Sequence, residues 1–516
     1  MKKLFVVLSM LVVLSMLLSA CGPQATPAPA QPAAKAEPTK APEPKPAEPT
    51  KAPEPTKAPE PTKAPAAAPT KAPEPTKAPE PTKAPAPTAT PEPRPTPPPG
   101  RVVVEFWYGL GKPLGDVLVS VVMDFNKSQD KYYVDPIYKG GYADTMNAAI
   151  AAFRAGKAPH IVQMFEVGTA TMMAAKGAIK PVYQLAQETG WNLDPNIYIP
   201  AVRGYYSEGD KMISMPLNSS TPMMYYNKDA FKKAGLDPNN PPKTWAEVRA
   251  AAKKLVESGA TKCGLTFEWP TWTQLENFSA IHNVPLATKA NGMLGMDAEL
   301  KFNSDLHIRH LQTLIDMQNE GSFKYGGRDG SATVLFPSGE CGIIHASSAA
   351  RARIKNESKF DWGVTFLPYY DDVPGAPINS IIGGASLWVM NSPGRTAEEY
   401  KAVAEFFKFI SRPEVDARWH QETGYLPITH GGYEKTKADG YYEKNPGADL
   451  PYKQLTRTQP TENSLGLRLG DMPQIRIIVY EEWEKAFQGQ QTAKQAMDNA
   501  VKRGNEVLRA FEKMYK

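Results

Sequence analysis

Short apolar runs alternate with amphipathic stretches along the chain from Arg101 onward. Runs of about 4–8 β-rich residues predict strands, and the apolar positions at helical spacing that follow them predict helices. The first three strand and helix pairs are Val102–Trp107 with Pro113–Asn126, Tyr132–Tyr138 with Asp144–Arg154, and His160–Phe165 with Thr169–Lys176. This alternation indicates a mostly parallel sheet covered on both faces.

Ligands of such sheets bind beyond the carboxyl ends of the strands. The loops that follow the first three strands are therefore candidate parts of a site: Tyr108–Lys112, Gly140–Tyr142 and Glu166–Gly168.

A second block of alternating elements follows Tyr225. Its predicted helices and strands are Lys228–Ala234, Thr244–Ser258, Asp305–Asn319, Cys341–His345, Trp362–Leu367, Ala385–Met390 and Ala397–Phe407. The extended segments Pro216–Pro222 and Ser380–Gly384 connect elements of different blocks, as hinges do. Residues 101–516 are too many for one typical core, so we expect two domains with more than one chain crossing between them.

The first residues have the composition of a lipoprotein leader. Lys2 and Lys3 precede an apolar core, Leu4–Leu18, which ends in Leu-Ser-Ala before Cys21 and resembles a bacterial lipobox. The core is too short for a comfortable membrane span and ends at small residues, which indicates cleavage. We expect residues 1–20 to be removed and Cys21 to carry the lipid that anchors the protein outside the cytoplasm.

Residues 21–100 form a predicted disordered tether that repeats Pro-Thr-Lys-Ala-Pro-Glu and contains no aromatic residue after Cys21. Such a segment cannot bury a core and favours extended polyproline geometry. The leader and tether also carry most of the formal net charge of +5, which leaves about +1 on residues 101–516. A near-neutral folded part argues against nucleic acid as a partner.

Few residues suggest catalysis or metal binding. Gly109–Gly115 lacks the Lys-Ser/Thr pair of a phosphate loop and predicts a tight turn. His307 and His310 lie three apart on a predicted helix, but no nearby carboxylate or cysteine completes a metal set, so we expect two solvated histidines and no metal. Glu166 and Glu276 can be cast as a glycosidase pair, but no spacing places them together. We expect no cofactor and no enzymatic activity.

The other two cysteines, Cys263 and Cys341, form an even pair in an oxidising compartment. One disulfide or two buried thiols both fit, because the sequence does not give the separation of their Cα atoms.

Small hydroxyl and glycine residues cluster at strand ends, in Asn218–Thr221, Ser347–Ser348 and Gly383–Ser386. Backbone N–H groups at a helix start, together with serine hydroxyls, can hold a phosphate without bulk positive charge. Trp245, Trp269 and Trp272 add aromatic faces that serve either stacking or core packing.

Longer segments resemble the family 1 extracellular solute-binding proteins of bacterial ABC importers, in particular the branch that binds sn-glycerol-3-phosphate. The resemblance runs from Val104 to Lys516. The segments that carry it are Ala152–Gly156, Phe165–Met173, Asn218–Pro222, Tyr225–Phe231, Gln274–Ala280, Ile381–Met390, Gly424–Thr429, Gly466–Gly470 and Met472–Arg476. It implies an α/β, two-lobed, maltose-binding-protein-like (type II) fold with hinge crossings, in which the lobes close on a ligand.

The resemblance also implies lobe borders and residue roles. Residues 101–219 with 383–428 make the N-terminal lobe, and 220–382 with 429–516 make the C-terminal lobe. Tyr142 and Glu166 would engage the glycerol hydroxyls, and the tryptophans Trp269 and Trp272 would form walls. The phosphate would lie among Ser220, Ser347, the Gly384 backbone, Tyr425 and Arg476, since a guanidinium can grip two phosphate oxygens.

The partners implied are this ligand and the permease of an ABC importer, served by a monomeric receptor. One departure from the family pattern is Glu268, an acid directly before Trp269. If it faced the pocket, it would disfavour a phosphate monoester relative to a choline-bearing diester. An oligosaccharide receptor is the alternative within the binding class, and an envelope phosphodiester hydrolase or a surface adhesin are alternatives outside it.

Overall fold

The structure, a computed structural model, describes residues 96–516, which form two large helix-covered β-sheets and one short two-stranded sheet. The predicted leader, Cys21 and the tether up to residue 95 lie outside the described residues. Among residues 96–516, no helix combines the length and the apolar character needed to cross a membrane.

The strands of the described residues include the six that β-rich runs predict, which are the first three and the last three in chain order. The strands are β1 Val102–Tyr108, β2 Tyr132–Tyr138, β3 Ile161–Phe165, β4 Ile179–Lys180, β5 Ser207–Glu208, β6 Lys211–Met212, β7 Met215–Ser220, β8 Pro222–Asn227, β9 Cys263–Phe267, β10 Cys341–Ser347, β11 Trp362–Thr365 and β12 Gly383–Met390.

The first sheet has the order β2-β1-β3-β12-β4, with β7 paired to β12. Strands β1, β2 and β3 are parallel, as their alternation with helices predicts, while β12 runs antiparallel to β3, β4 and β7. The second sheet has the order β11-β8-β10-β9, and β9 is parallel to β10. Loops that follow parallel strands gather at one edge of each sheet, and these edges supply the site described below.

Helices cover both sheets and close the C-terminal part of the chain. They are α1 Leu114–Ser128, α2 Tyr142–Arg154, α3 Thr169–Ala174, α4 Val182–Thr189, α5 Pro200–Tyr205, α6 Lys228–Lys233, α7 Trp245–Glu257, α8 Asn277–Ile281, α9 Asp305–Asn319, α10 Ala350–Glu357, α11 Ala397–Ile410, α12 Pro413–Thr423, α13 His430–Ala438, α14 Tyr441–Lys444, α15 Leu450–Leu455, α16 Met472–Phe487 and α17 Ala493–Tyr515.

Sequence signals at the helix starts explain several of these bounds. Thr244, Thr396 and Thr492 each accept a hydrogen bond from the N–H three residues later, where Glu or Gln bonds back to the threonine. This reciprocal capping satisfies two N–H groups that the first turn leaves without partners. Helices α7, α11 and α17 therefore begin immediately after these threonines.

The expectation that His307 and His310 are solvated is wrong. Both lie on α9, whose predicted bounds are confirmed, but each is only 1% exposed. His307 bonds Ser279 and Ser304, and His310 stacks on the Phe278 ring with centroids 4.1 Å apart. The two histidines face the core because α9 turns this side toward α8.

The two predicted hinge segments lie side by side where the chain passes between the sheets. Ser220, the last residue of β7, is paired with Gly383 at the start of β12. The hydroxyls of Thr221 and Ser380 are 2.6 Å apart, and both are fully buried. The borders of the two lobes stay a prediction. Helix α13 follows the predicted border at residue 428, but it packs mainly against α12, which precedes that border.

Cys263 and Cys341 are joined by a disulfide, with Cα atoms 4.4 Å apart. The two residues face each other in the register of β9 and β10, so strand pairing brings them within bridging distance. The bond closes a long loop, because the two cysteines are 78 positions apart in the sequence.

Removing this bond is expected to lower the free energy of unfolding. For Cys263→Ser with Cys341→Ser we expect a loss of about 2–4 kcal/mol, because the unfolded chain regains loop entropy and two buried sites become polar. Urea unfolding followed by circular dichroism measures this loss. Equal midpoints for the double variant and for the parent, each compared without reductant, would contradict it.

Candidate functional site

One cavity of about 320 Å³ lies where the carboxyl ends of parallel strands from both sheets meet. This volume is in the lower part of the range of small-molecule sites, about 300–1,000 Å³. All nine residues that the sequence predicts as ligand-binding line it: Tyr142, Glu166, Ser220, Trp269, Trp272, Ser347, Gly384, Tyr425 and Arg476. The structure thus brings together residues that lie up to 334 positions apart in the sequence, on loops and strand ends of both sheets.

Glu166 and Arg476 form the buried charged centre of the cavity. Glu166 follows the last residue of β3, and Arg476 lies in the first turns of α16. The Arg476 Nη2 atom donates to Glu166 Oε1 at 2.8 Å and to Glu276 Oε2 at 2.7 Å, and its Nε donates to Glu276 Oε1 at 2.7 Å. These bonds occupy Nε and Nη2, so Nη1 is the part of the guanidinium that has hydrogens left for a ligand.

Burial and the neighbouring charges act in opposite directions on this centre. Burial raises the pKa of Glu166, and Arg476 opposes that shift. Burial by itself lowers the pKa of Arg476, but the charges of Glu276 and Glu166 outweigh burial and raise the pKa of the guanidinium. Arg476 therefore stays charged between the two carboxylates.

A chain of hydrogen bonds orients Tyr142, the first residue of α2. The Gly109 N–H donates to Gln163 Oε1 at 2.8 Å, and Gln163 Nε2 donates to Asn218 Oδ1 at 2.7 Å. Asn218 Nδ2 then donates to the Tyr142 hydroxyl at 2.8 Å. The Tyr142 oxygen thus already accepts one bond, and its own hydrogen points to another acceptor, such as Tyr425 or a ligand.

Gly384 brings backbone into the cavity in a conformation that favours glycine. Its φ is +103°, and a Cβ atom there would lie 1.9 Å from the Asn218 carbonyl oxygen. No side chain fits this position without moving β7. Gly384 thus leaves its peptide exposed to whatever the cavity holds.

Ser347 ends β10 and lies next to the first turn of α10. Its hydroxyl accepts from the Ala349 N–H at 3.2 Å, and Ala349 and Ala350 also line the cavity. A helix start presents N–H groups with a partial positive charge, which suits an anion. Ser220 lies across from it at the end of β7 and is 3% exposed.

Aromatic side chains form the walls. Trp272 is 4% exposed, and its indole N–H donates to the Ile382 carbonyl at 3.4 Å. Trp269 adopts a positive φ of 49°, which is unusual for a bulky residue, and its N–H donates to the Asp329 carbonyl. Tyr425 stacks on Trp419 with centroids 5.7 Å apart. The third tryptophan considered, Trp245, packs instead against His310 and His345 in the core.

Sequence reasoning missed several residues of the cavity. Thr333 and Arg353 line it on the side of the second sheet. Gly109 and Lys112 line it in the loop Tyr108–Lys112, which is predicted as part of a site without a role for either residue. Glu276, considered above only as one of a glycosidase pair, meets Glu166 through Arg476. A basic residue one turn into a helix that follows a strand is the signal that would have found Arg353.

The chain is similar to known proteins over most of its folded part. The sequence model of the bacterial extracellular solute-binding proteins matches residues 120–448. The sn-glycerol-3-phosphate-binding periplasmic protein UgpB of Yersinia pseudotuberculosis is 50% identical over 415 residues, covering 80% of this chain and 94% of that protein. The protein of the same name in Salmonella typhimurium is 49% identical over 415 residues, with the same coverage.

Two solved structures illustrate the fold. UgpB from Mycobacterium tuberculosis, in complex with glycerophosphocholine, has a TM-score of 0.65 at 21% identity and covers 80% of this chain and 99% of that one. Maltose-bound MalE3 of T. maritima has a TM-score of 0.63 at 17% identity, with 78% and 99% covered. The predicted two-lobed, maltose-binding-protein-like fold is confirmed. The chain belongs to the bacterial extracellular solute-binding proteins.

Proposed function

We propose that this protein captures sn-glycerol-3-phosphate or a glycerophosphodiester outside the cytoplasm and delivers it to the permease of an ABC importer. The observation that carries the proposal is the convergence of all nine predicted ligand-binding residues on one cavity. The names of the relatives at about 50% identity support the same ligand class.

The cavity has chemically different sides, which suits a polyol joined to a phosphate. Glu166 and Tyr142 offer a carboxylate acceptor and a hydroxyl to the glycerol. Ser220, Ser347, the Gly384 peptide and Nη1 of Arg476 offer hydroxyls, backbone N–H and charge to the phosphate. No chemical transformation is part of the proposal.

Lobe closure is the mechanism that this arrangement favours. Glu166 follows a strand of the first sheet, whereas Ser347 ends a strand of the second sheet. A ligand held by both bridges the two lobes, and it favours the closed state by the contacts that exist only there. The permease would then recognise the closed form.

Attachment to the membrane completes the proposal. The leader pattern supports cleavage before Cys21 and lipidation of that cysteine, and the proline-rich tether would let the receptor reach the permease. Labelling of producing cells with a radioactive fatty acid tests this part, since Cys21→Ala should abolish the labelled band.

Isothermal titration of the purified full-length chain tests the ligand class. We expect saturable binding of sn-glycerol-3-phosphate or glycerophosphocholine, and no binding of maltose, because the cavity combines a guanidinium and helix-start N–H groups suited to a phosphate. Maltose binding alone would favour the oligosaccharide receptor. Release of choline or free glycerol from glycerophosphocholine would instead identify a hydrolase.

A further inference from the structure

Glu268 places an additional carboxylate in the wall of the cavity. It follows the last residue of β9, lines the cavity and is 4% exposed. Its Oε1 accepts from the Ser347 N–H at 2.7 Å, and its Oε2 accepts from the Thr333 hydroxyl at 2.7 Å. These two bonds fix the carboxylate beside Ser347, at the end of the cavity where the proposed function puts the phosphate.

The buried charges of the site are therefore unbalanced. Three carboxylates, Glu166, Glu268 and Glu276, are within or directly behind the wall, against the single buried guanidinium of Arg476. Arg353 also lines the cavity, but its side chain is 35% exposed and it pairs with Glu357, so solvent screens much of its charge. Lys112 is 74% exposed and lies near Asp116.

This imbalance discriminates between ligands by charge. A phosphate monoester carries about −1.5 to −2 at pH 7. A diester carries one negative charge, and a cationic alcohol such as choline neutralises it within the same ligand. The ammonium of such an alcohol is two methylene groups from the ester oxygen, so it has to lie next to the phosphate and within reach of Glu268.

We propose that Glu268 is a specificity-determining residue that makes this site prefer a glycerophosphodiester of a cationic alcohol to sn-glycerol-3-phosphate. The inference rests on the proposed function and names its substrate class. Burial raises the pKa of Glu268, while the Thr333 and Ser347 bonds and the charge of Arg353 act against that shift. A cation beside this carboxylate offsets the cost of its burial, whereas a dianion adds to it.

Trp269 supports the same assignment from the neighbouring position. It lies in the left-handed region, with φ of 49°, and it lines the cavity directly after Glu268. A strained backbone persists where the surroundings hold it, and such positions concentrate at ligand sites. An indole face beside a carboxylate is suited to an ammonium group, which binds both by electrostatic attraction.

The test compares three ligands on the purified full-length chain by isothermal titration at pH 7.5: sn-glycerol-3-phosphate, glycerophosphocholine and the uncharged-alcohol diester glycerophosphoglycerol. We expect the parent to bind glycerophosphocholine at least about tenfold more tightly than the monoester. In Glu268→Gln, which keeps the shape of the side chain, the monoester should gain about tenfold. Glycerophosphocholine should lose its advantage over glycerophosphoglycerol.

One further variant separates charge from structure. Asp416→Asn removes another buried carboxylate that accepts from backbone N–H groups and a hydroxyl, but away from the cavity, and it should keep the parent's order of ligands. Thermal unfolding of each variant verifies that it is folded at the temperature of titration.

The possible outcomes distinguish this inference from the function on which it rests. A parent that binds the monoester as tightly as glycerophosphocholine, or a Glu268→Gln variant with unchanged ratios, overturns the role of Glu268 and leaves the proposed function in place. A parent that binds none of the three phosphate compounds overturns the proposed function itself.

Discussion

Lowering the pH from 7.5 to 5 is expected to reduce the free energy of unfolding by an amount on the order of 5 kcal/mol. The cause is a set of buried, neutral histidines. Burial lowers the pKa of His282 to about 4, of His307 to about 3, of His345 to about 3 and of His420 to about 4. Burial also lowers the pKa of His310.

The sign follows from the two states. The unfolded chain binds a proton at each histidine once the pH falls below the ordinary histidine pKa of about 6.5. The folded chain binds that proton only when the pH reaches the lowered pKa of the buried ring. Stability is thus fully present above pH 6.5 and is lost between pH 6.5 and about 4. Each histidine contributes about 2 kcal/mol to the loss at pH 5.

Buried carboxylates oppose part of this loss. Burial raises the pKa of Asp416 to about 6, and it also raises the pKa of Glu166 and Glu268. These groups take up protons in the folded state first, so their contribution to stability increases as the pH falls. The net loss is consequently smaller than the sum over the histidines.

Urea unfolding at pH 7.5, 6.5, 5.5 and 5.0 measures the effect, and its slope against pH gives the number of protons taken up on unfolding. His307→Gln should lower that number by about one at pH 5.5. A stability that stays constant from pH 7.5 to 5.0 would contradict the burial of these rings as neutral groups.

The order of apolar and polar residues was sufficient to predict those helices and strands whose bounds depend on neighbouring residues in the sequence. The strands and helices between Val102 and Ala174, and the bounds of α9, follow from the alternation of apolar and polar residues. Which side of α9 meets another element depends on the tertiary packing against α8, and helical periodicity did not show that His307 and His310 belong to the buried side.

The residues of the site also divide into those that the sequence predicted and those that only tertiary packing brings together. The resemblance to a family led to nine residues that line one cavity, because they lie in segments with long matches. Glu276 was not connected with Arg476, since 200 positions separate them in the sequence and only the packing of α16 brings them together. The position of Glu268 depends on its bonds to Ser347 at the end of β10 and to Thr333, which spacing along the chain does not reveal.

Arg476→Ala is expected to cause the largest loss at a single position in the cavity. The substitution removes the guanidinium but leaves Glu166 and Glu276 buried, with no cation between them. Breaking a buried ion pair in this way costs about 3–5 kcal/mol of stability. Binding of the preferred phosphate ligand should also weaken at least about tenfold, because the phosphate charge loses its buried counterion.

Urea unfolding and isothermal titration of the same preparation measure the two losses separately. Arg503→Ala is a matched control, because Arg503 also contacts two glutamates, Glu481 and Glu482, but on α17 and outside the cavity. Its side chain is 37% exposed, so we expect a loss of at most about 1 kcal/mol and unchanged affinity.

The pH dependence of the Arg476→Ala variant separates charge from packing. In the parent, burial raises the pKa of Glu166 and Arg476 opposes that shift, so without the guanidinium the pKa rises further and Glu166 takes up a proton as the pH falls. The stability difference between the variant and the parent should therefore shrink between pH 7.5 and 5.5. A difference that is the same at both pH values would mean that Arg476 contributes mainly by filling space, and an unchanged affinity would remove it from the ligand site.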